Sequence, residues 1–175
     1  MPSRILSKAR QIKLMIFDVD GVLTDGKLLF GPDGETIKVF HVLDGHGIVL
    51  LQQSGIQTAI ISARKSPMVM RRAEDLGITH VQLGIQDKLS AFETLLNKTG
   101  VTAADCGYIG DDVIDLPVLI RVGFSASVPN GHTEVRSRVD YVTEATGGNG
   151  AVREICDLIL QAQEKYLPLM ESYLK

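Results

Sequence analysis

Six short apolar runs, Lys13–Phe17, Gln57–Ile61, His80–Leu83, Gly107–Ile109, Gly123–Ala126 and Asp140–Val142, constrain this chain more than any other feature. Each has strand length and composition, and none is long enough to be a helix. Between and after them lie helical patterns at about Gly47–Ser54, Ser66–Leu76, Asp87–Lys98, Ile114–Arg121, His132–Val135 and Gly150–Tyr166, several closed by a glycine such as Gly55, Gly77 or Gly100. Strand alternating with helix predicts a doubly wound α/β fold: a Rossmann-like parallel sheet with right-handed crossovers and helices on both faces.

One stretch departs from that rhythm. Between residues 26 and 40, the arms Lys27–Phe30 and Glu35–Phe40 flank Gly31-Pro32-Asp33-Gly34, which predicts a β-hairpin flap. No later insertion is long enough to fold over the sheet as a cap domain. At 175 residues the chain is expected to form one domain, residues 1–175, with a frayed tail over 166–175 where the patterning fades. The net charge of −3 gives no basic field for nucleic acid or anionic lipid. No apolar run approaches the roughly 20 residues needed to span a bilayer, and no apolar leader precedes a cleavage signal. Cys106 and Cys156 form no C-x-x-C pair and read as reduced core thiols, so a cytoplasmic location is expected.

The chemistry is written where apolar runs end. Lys13–Phe17 leads into Asp18-Val19-Asp20-Gly21, two carboxylates spaced i, i+2 before a glycine turn. In an open parallel sheet, ligands bind beyond the carboxyl ends of the strands, which is where this pair falls. A calcium loop would need an oxygen donor and then glycine at the fifth and sixth positions, but Val22 and Leu23 stand there. A second run, Tyr108-Ile109, empties into Gly110-Asp111-Asp112-Val113-Ile114-Asp115. Five acids at two strand ends repel, each pair at 4 Å by about 4 kcal/mol at an effective dielectric near 20. The arrangement asks for a cation, and an all-oxygen donor set favours Mg²⁺. Two further signals are weaker singly: Ser62 and Arg64 follow the run Gln57–Ile61, and Lys88 sits in a helix first turn, where a cation opposes the dipole unless an anion is near.

Together these residues resemble the haloacid dehalogenase superfamily of phosphotransferases, whose four motifs occur in order: D-x-D-G at Asp18–Gly21, the serine at Ser62, the lysine at Lys88, and G-D-D-x-x-D at Gly110–Asp115. The resemblance covers nearly the whole chain. It is strongest to the capless, tetrameric members that dephosphorylate an eight-carbon sugar acid phosphate, 3-deoxy-D-manno-octulosonate 8-phosphate, for lipopolysaccharide precursors. The flap, Asp44-Gly45-His46-Gly47-Ile48 and Gly147-Gly148-Asn149-Gly150-Ala151-Val152-Arg153-Glu154 also fit. Ala63 and Leu43 depart from the family pattern, where glycine and arginine are commoner.

The resemblance implies Asp18 as nucleophile and Asp20 as general acid and base. It implies Ser62 and Lys88 on the phosphoryl group and Arg64 on the sugar acid. Mg²⁺ would be held by Asp18, the Asp20 carbonyl and Asp111, with Asp112 and Asp115 in support. The implied partners are the sugar acid phosphate and further copies of the chain in a homotetramer. Two alternatives stay open: a phosphatase for a nine-carbon, sialic-acid-type 9-phosphate, and a catalytically silent oligomeric scaffold.

Overall fold

The computed structural model describes residues 3–175. In chain order its elements are α1 (Ser3–Arg10), β1 (Leu14–Phe17), β2 (Leu29–Gly31), β3 (Gly34–Ile37), α2 (Val42–Gln53), β4 (Gln57–Ser62), α3 (Pro67–Asp75), β5 (His80–Leu83), α4 (Lys88–Thr99), β6 (Cys106–Ile109), α5 (Leu116–Leu119), β7 (Phe124–Ser127), α6 (Thr133–Arg136), β8 (Tyr141–Val142), α7 (Ala151–Ala162) and α8 (Tyr166–Ser172). Six strands form one sheet in the order β5-β4-β1-β6-β7-β8, and every neighbouring pair is parallel. The expected doubly wound sheet is therefore what the chain forms. β1 lies at its centre, paired with β4 on one side and β6 on the other.

The unbroken apolar runs follow from that position, because a strand covered on both faces needs apolar residues at every site. Met15 and Phe17 enter a core with residues of α1, α2, α3 and α7, whereas Leu14 and Ile16 enter a second core with residues of α4, α5 and α6. The accessible surface of 8579 Å² matches the roughly 8,400 Å² expected for a folded chain of this mass.

Several boundaries differ from the sequence expectation, each for a physical reason. α1 lies in a stretch whose basic residues mask its apolar face, yet Ile5, Leu6 and Ala9 pack at helical spacing into the first core. α2 starts five residues early because Asp44 is bound into the fold: its carboxylate accepts from the backbone N–H of Gly150 (3.3 Å) and Arg153 (2.8 Å), capping the start of α7. Burial pushes the Asp44 carboxyl above its usual range, against the opposing pull of those two N–H groups. The expected helix to Tyr166 breaks after Ala162, where Glu164 turns left-handed (φ 59°) and Lys165 donates to the Ser54 carbonyl (2.9 Å). The end after Lys165 then forms α8, and the Tyr173 ring meets His46 of α2 edge-on at 5.8 Å.

The flap is a two-stranded hairpin, β2 and β3, with Gly31 opposite Gly34 across Pro32-Asp33. Its second arm is shorter than expected, ending at Ile37 because Lys38 turns inward toward the sheet.

Candidate active site

The loops after β1, β4 and β6 converge on a cleft of about 280 Å³ lined by Asp18, Asp20, Gly26, Ser62, Ala63, Arg64, Asp111, Asp112 and Ile114. β1 delivers Asp18, only 5% exposed, directly from the sheet centre. Beside it, Lys88 projects from the first turn of α4, oriented by Asp87, whose carboxylate accepts from the N–H groups of Leu89 and Ser90. The Lys88 ammonium lies 3.0 Å from Asp18 and 2.6 Å from Asp115, with its side chain 1% exposed.

Asp115 is the organiser of this pair. It is fully buried, and its carboxylate accepts from Lys88, from the Tyr108 hydroxyl (2.7 Å) and from the backbone N–H groups of Asp111 and Asp112 (both 3.1 Å). Those bonds satisfy both oxygens, so Asp115 fixes Lys88 and the turn carrying Asp111. Glycine permits the crowding: a Cβ on Gly21 (φ +88°) would lie 2.0 Å from an Asp111 oxygen, and one on Gly110 would lie 2.5 Å from the Asp115 carboxyl carbon.

Asp18, Asp111 and Asp115 bring carboxylate oxygens within 4.8 Å of one another. One ammonium faces three acids, and burial together with that imbalance raises the pKa of Asp18 and Asp111. Burial first, then the charge of Asp115, pushes Asp18 up to about 8 against the pull of Lys88. Burial, then Asp115 and Asp112, pushes Asp111 up to about 7. Burial alone would lower Lys88, but Asp18 and Asp115 outweigh it and hold its pKa above the usual range. The donor set fits a small hard cation: it is all oxygen, short of positive charge and open to the cleft. Asp18 and Asp111 are the side chains available to hold Mg²⁺, since Asp115 is already bound by its four donors.

The remaining expected residues are placed as follows. Ser62 is buried at the end of β4, and its oxygen accepts from the Arg64 N–H (3.4 Å) while its own proton stays available. Asp112 is exposed and caps the turn Val113–Asp115 through the Val113 N–H (2.7 Å), at the cleft rim. Arg64 stands at the cleft mouth beneath the Phe30 ring, 5.9 Å from its centroid. Asp20 is paired with Lys38, which also reaches Glu35 at 2.8 Å.

Glu35, Lys38 and Tyr108 carry no role in the sequence reading. A tyrosine in a buried strand does signal the need for a hydroxyl partner, here Asp115. The Gly147-Gly148 pair likewise acts at a distance from the chemistry. Gly148 N–H donates to the Val22 carbonyl (2.9 Å), and a Cβ on Gly147 would lie 1.7 Å from the Gly21 carbonyl oxygen, so this loop buttresses the turn that follows Asp18.

A family model for haloacid dehalogenase-like hydrolases matches residues 81–155. The 3-deoxy-D-manno-octulosonate 8-phosphate phosphatase KdsC of Escherichia coli K12 is 48% identical over 161 residues, spanning 92% of this chain and 86% of that protein. This chain belongs to the haloacid dehalogenase-like hydrolases. The corresponding phosphatase of Salmonella typhi is 47% identical over 93% of this chain and 87% of its own. Among solved structures of this hydrolase family, the 3-deoxy-D-manno-octulosonate 8-phosphate phosphatase of Moraxella catarrhalis, in complex with magnesium, phosphate and KDO, superposes with a TM-score of 0.96 at 47% identity over 99% of both chains. The cobalt-bound phosphatase of Haemophilus influenzae gives 0.92 at 46% identity, over 96% of this chain and 99% of that one. No helix among the described residues is long and apolar enough to cross a membrane.

Proposed function

We propose that this haloacid dehalogenase-like hydrolase releases phosphate from 3-deoxy-D-manno-octulosonate 8-phosphate with Mg²⁺ as cofactor, as the names of its relatives describe. The observation that carries the mechanism is Asp18 at the end of the central strand, 3.0 Å from a buried Lys88 and beside Asp111. Enzymes that hydrolyse phosphate monoesters supply up to about 10²¹-fold acceleration, roughly 29 kcal/mol, so several groups must act together.

Asp18 attacks phosphorus, the bond from phosphorus to the sugar oxygen breaks, and Asp20 gives its proton to that leaving oxygen. The resulting aspartyl-phosphate is attacked at phosphorus by water. Asp20, now a carboxylate, takes the water's proton, and Asp18 is regenerated. Ser62 donates to a phosphoryl oxygen, and Lys88 offsets charge on the transferring group. Asp18, the Asp20 carbonyl and Asp111 would hold Mg²⁺, with Asp112 and Asp115 in support. When bound, the ion neutralises phosphoryl charge that would otherwise repel Asp18. Arg64 grips the carboxylate of the sugar acid, a planar anion suited to a guanidinium fork.

The same reading takes residues 1–175 as one domain, located in the cytoplasm and assembled as a homotetramer. Phe30, Ile37, Val39 and Val42 are each more than half exposed at or beside the flap, an apolar surface that suits contact between copies. A neighbouring subunit would then wall each cleft in place of a cap.

Phosphate release from a panel of sugar acid phosphates, with and without added Mg²⁺, tests the assignment. The expected result is highest kcat/KM on the eight-carbon 8-phosphate and no release without metal. Preference for a nine-carbon 9-phosphate would overturn the substrate, and no release from any member would overturn the activity.

A further inference from the structure

The flap carries two charged side chains that turn toward the cleft. Lys38 follows β3, and its side chain is 1% exposed despite belonging to a surface hairpin. Its ammonium donates to Oδ1 of Asp20 and lies 2.8 Å from Oε1 of Glu35. Arg64 completes the set more loosely, with Nη2 3.6 Å from Glu35 and Nε 3.7 Å from Oδ2 of Asp20. Asp20, Lys38, Glu35 and Arg64 thus form a closed ring of alternating charge joining the flap to the loops after β1 and β4.

The contacts in this ring are unequal. Lys38 to Asp20 is a hydrogen bond, whereas both Arg64 contacts exceed hydrogen-bond length and the buried Arg64 Nε has no hydrogen-bond partner among the described residues. Oδ2 of Asp20 likewise accepts no hydrogen bond among the described residues. A desolvated ammonium is costly to leave unpaired, so Lys38 has strong reason to keep its carboxylates. Arg64 can exchange its weak partners for a carboxylate on the substrate.

We infer that Lys38 is a positioning residue for Asp20, clamping one carboxylate oxygen so that the other is the one that exchanges a proton with the leaving oxygen. The inference rests on the proposed phosphatase reading, in which Asp20 protonates the sugar oxygen as its bond to phosphorus breaks. The flap thereby takes part in the chemistry of its own subunit through a side chain that touches no reacting atom. Poor orientation of a general acid matters most when the leaving group is basic. A sugar alkoxide needs the proton, and nitrophenolate scarcely does.

The test compares kcat/KM for the sugar acid phosphate and for nitrophenyl phosphate, since kcat/KM reports the step that breaks the ester. Lys38→Met is expected to lose about 30- to 100-fold on the sugar ester and less than about 3-fold on the aryl ester, a loss no larger than the lower end of the roughly 10²–10⁴-fold that general-acid help supplies, as suits an acid left present but poorly oriented. Lys38→Arg is expected to recover most of the sugar-ester activity. In an Asp20→Asn background, Lys38→Met is expected to cost less than about 2-fold further, because there is no acid left to position. Should the methionine variant fail to fold, Lys38→Gln gives the same comparison. Equal losses on both esters, or a full additional loss in the Asp20→Asn background, would overturn the inference. Asp20→Asn that treats the two esters alike would overturn the acid assignment beneath it.

Discussion

A single methyl group on Gly147 separates the buttress role of its loop from mere packing. The Cβ of Gly147→Ala would lie 1.7 Å from the Gly21 carbonyl oxygen and 3.0 Å from the Thr24 carbonyl oxygen. Contacts below 3.0 Å do not persist, so the loop and the turn after Asp18 must part by more than about 1 Å. Backbone faces backbone here, and no flexible side chain absorbs the shift. Overpacking of this kind costs about 1–3 kcal/mol, and for a chain of this size each kcal/mol lowers Tm by about 2–4 °C. Gly55→Ala is the control: it has a left-handed φ of +85°, nothing within 4 Å of its Cβ, and a position before the start of β4, at the opposite end of that strand from Ser62. Its strain costs about 1–2 kcal/mol, a comparable loss of stability. The two variants should part company in turnover. A displacement near 1 Å among positioned groups can cost about 10²-fold, so Gly147→Ala is expected to lower kcat by that order at a temperature where both variants are folded, with Gly55→Ala within 2-fold of the parent. Differential scanning fluorimetry and steady-state phosphate release measure the two quantities. Parental kcat in Gly147→Ala would refute the claim that this loop holds the catalytic turn in place.

Other outcomes follow from the same geometry. Asp18→Asn is expected to abolish turnover while circular dichroism stays near parental, because the amide is nearly isosteric but a poor nucleophile; activity within 10-fold of the parent would contradict the role. EDTA is expected to remove phosphate release and Mg²⁺ to restore it, whereas Ca²⁺, with a larger and looser shell, should fail to substitute. Full rescue by Ca²⁺ would count against the geometry at Asp18 and Asp111. Burial would raise Asp140, but Lys8 at 2.5 Å and the Ser125 N–H outweigh it and hold its pKa below the usual value. A carboxyl lowered in the folded state adds stability that is present above its unfolded pKa, about 3.9, and lost as pH falls through the folded value. Urea midpoints of Lys8→Met should therefore sit below the parent's at neutral pH and converge with them in acid; a constant gap would refute this. If the proposed homotetramer is held together by the flap, Ile37→Glu with Val39→Glu is expected to lower the mass seen in light scattering relative to the parent, and an unaltered oligomer would remove the flap from the proposed interface.

Asp18, Ser62 and Asp111 can be found from sequence because each closely follows an apolar run, and a parallel sheet presents all its strand ends along one edge. Lys88 is found by its discord with the helix dipole. What escapes such reading depends on which way a side chain turns in three dimensions. Glu35 and Lys38 look like ordinary surface charges of a hairpin, since alternation along β3 does not tell which residues fold back toward β1. Asp115 reads as one more carboxylate in an acidic loop, and only its burial against Tyr108 and Lys88 distinguishes it from the exposed Asp112. Asp44 and Gly47 sit within α2 for the sake of α7: one caps its first turn, and the other would place a Cβ 3.0–3.2 Å from Arg153 and Cys156. α8 is weakly patterned because it covers the core with only a few residues, Tyr166, Leu169 and Met170 among them.

The division of labour between Asp18 and Asp20 is tested most directly by mixing Asp20→Asn rapidly with nitrophenyl phosphate and Mg²⁺. Forming the aspartyl-phosphate from this ester needs little protonation, whereas its hydrolysis needs Asp20 to take a proton from water. The account predicts a burst of about one nitrophenolate per active site followed by a slow phase, with the acid-quenched phosphoryl group mapped by mass spectrometry to Asp18. Linear release without a burst, or a phosphoryl group on any other residue, would contradict it.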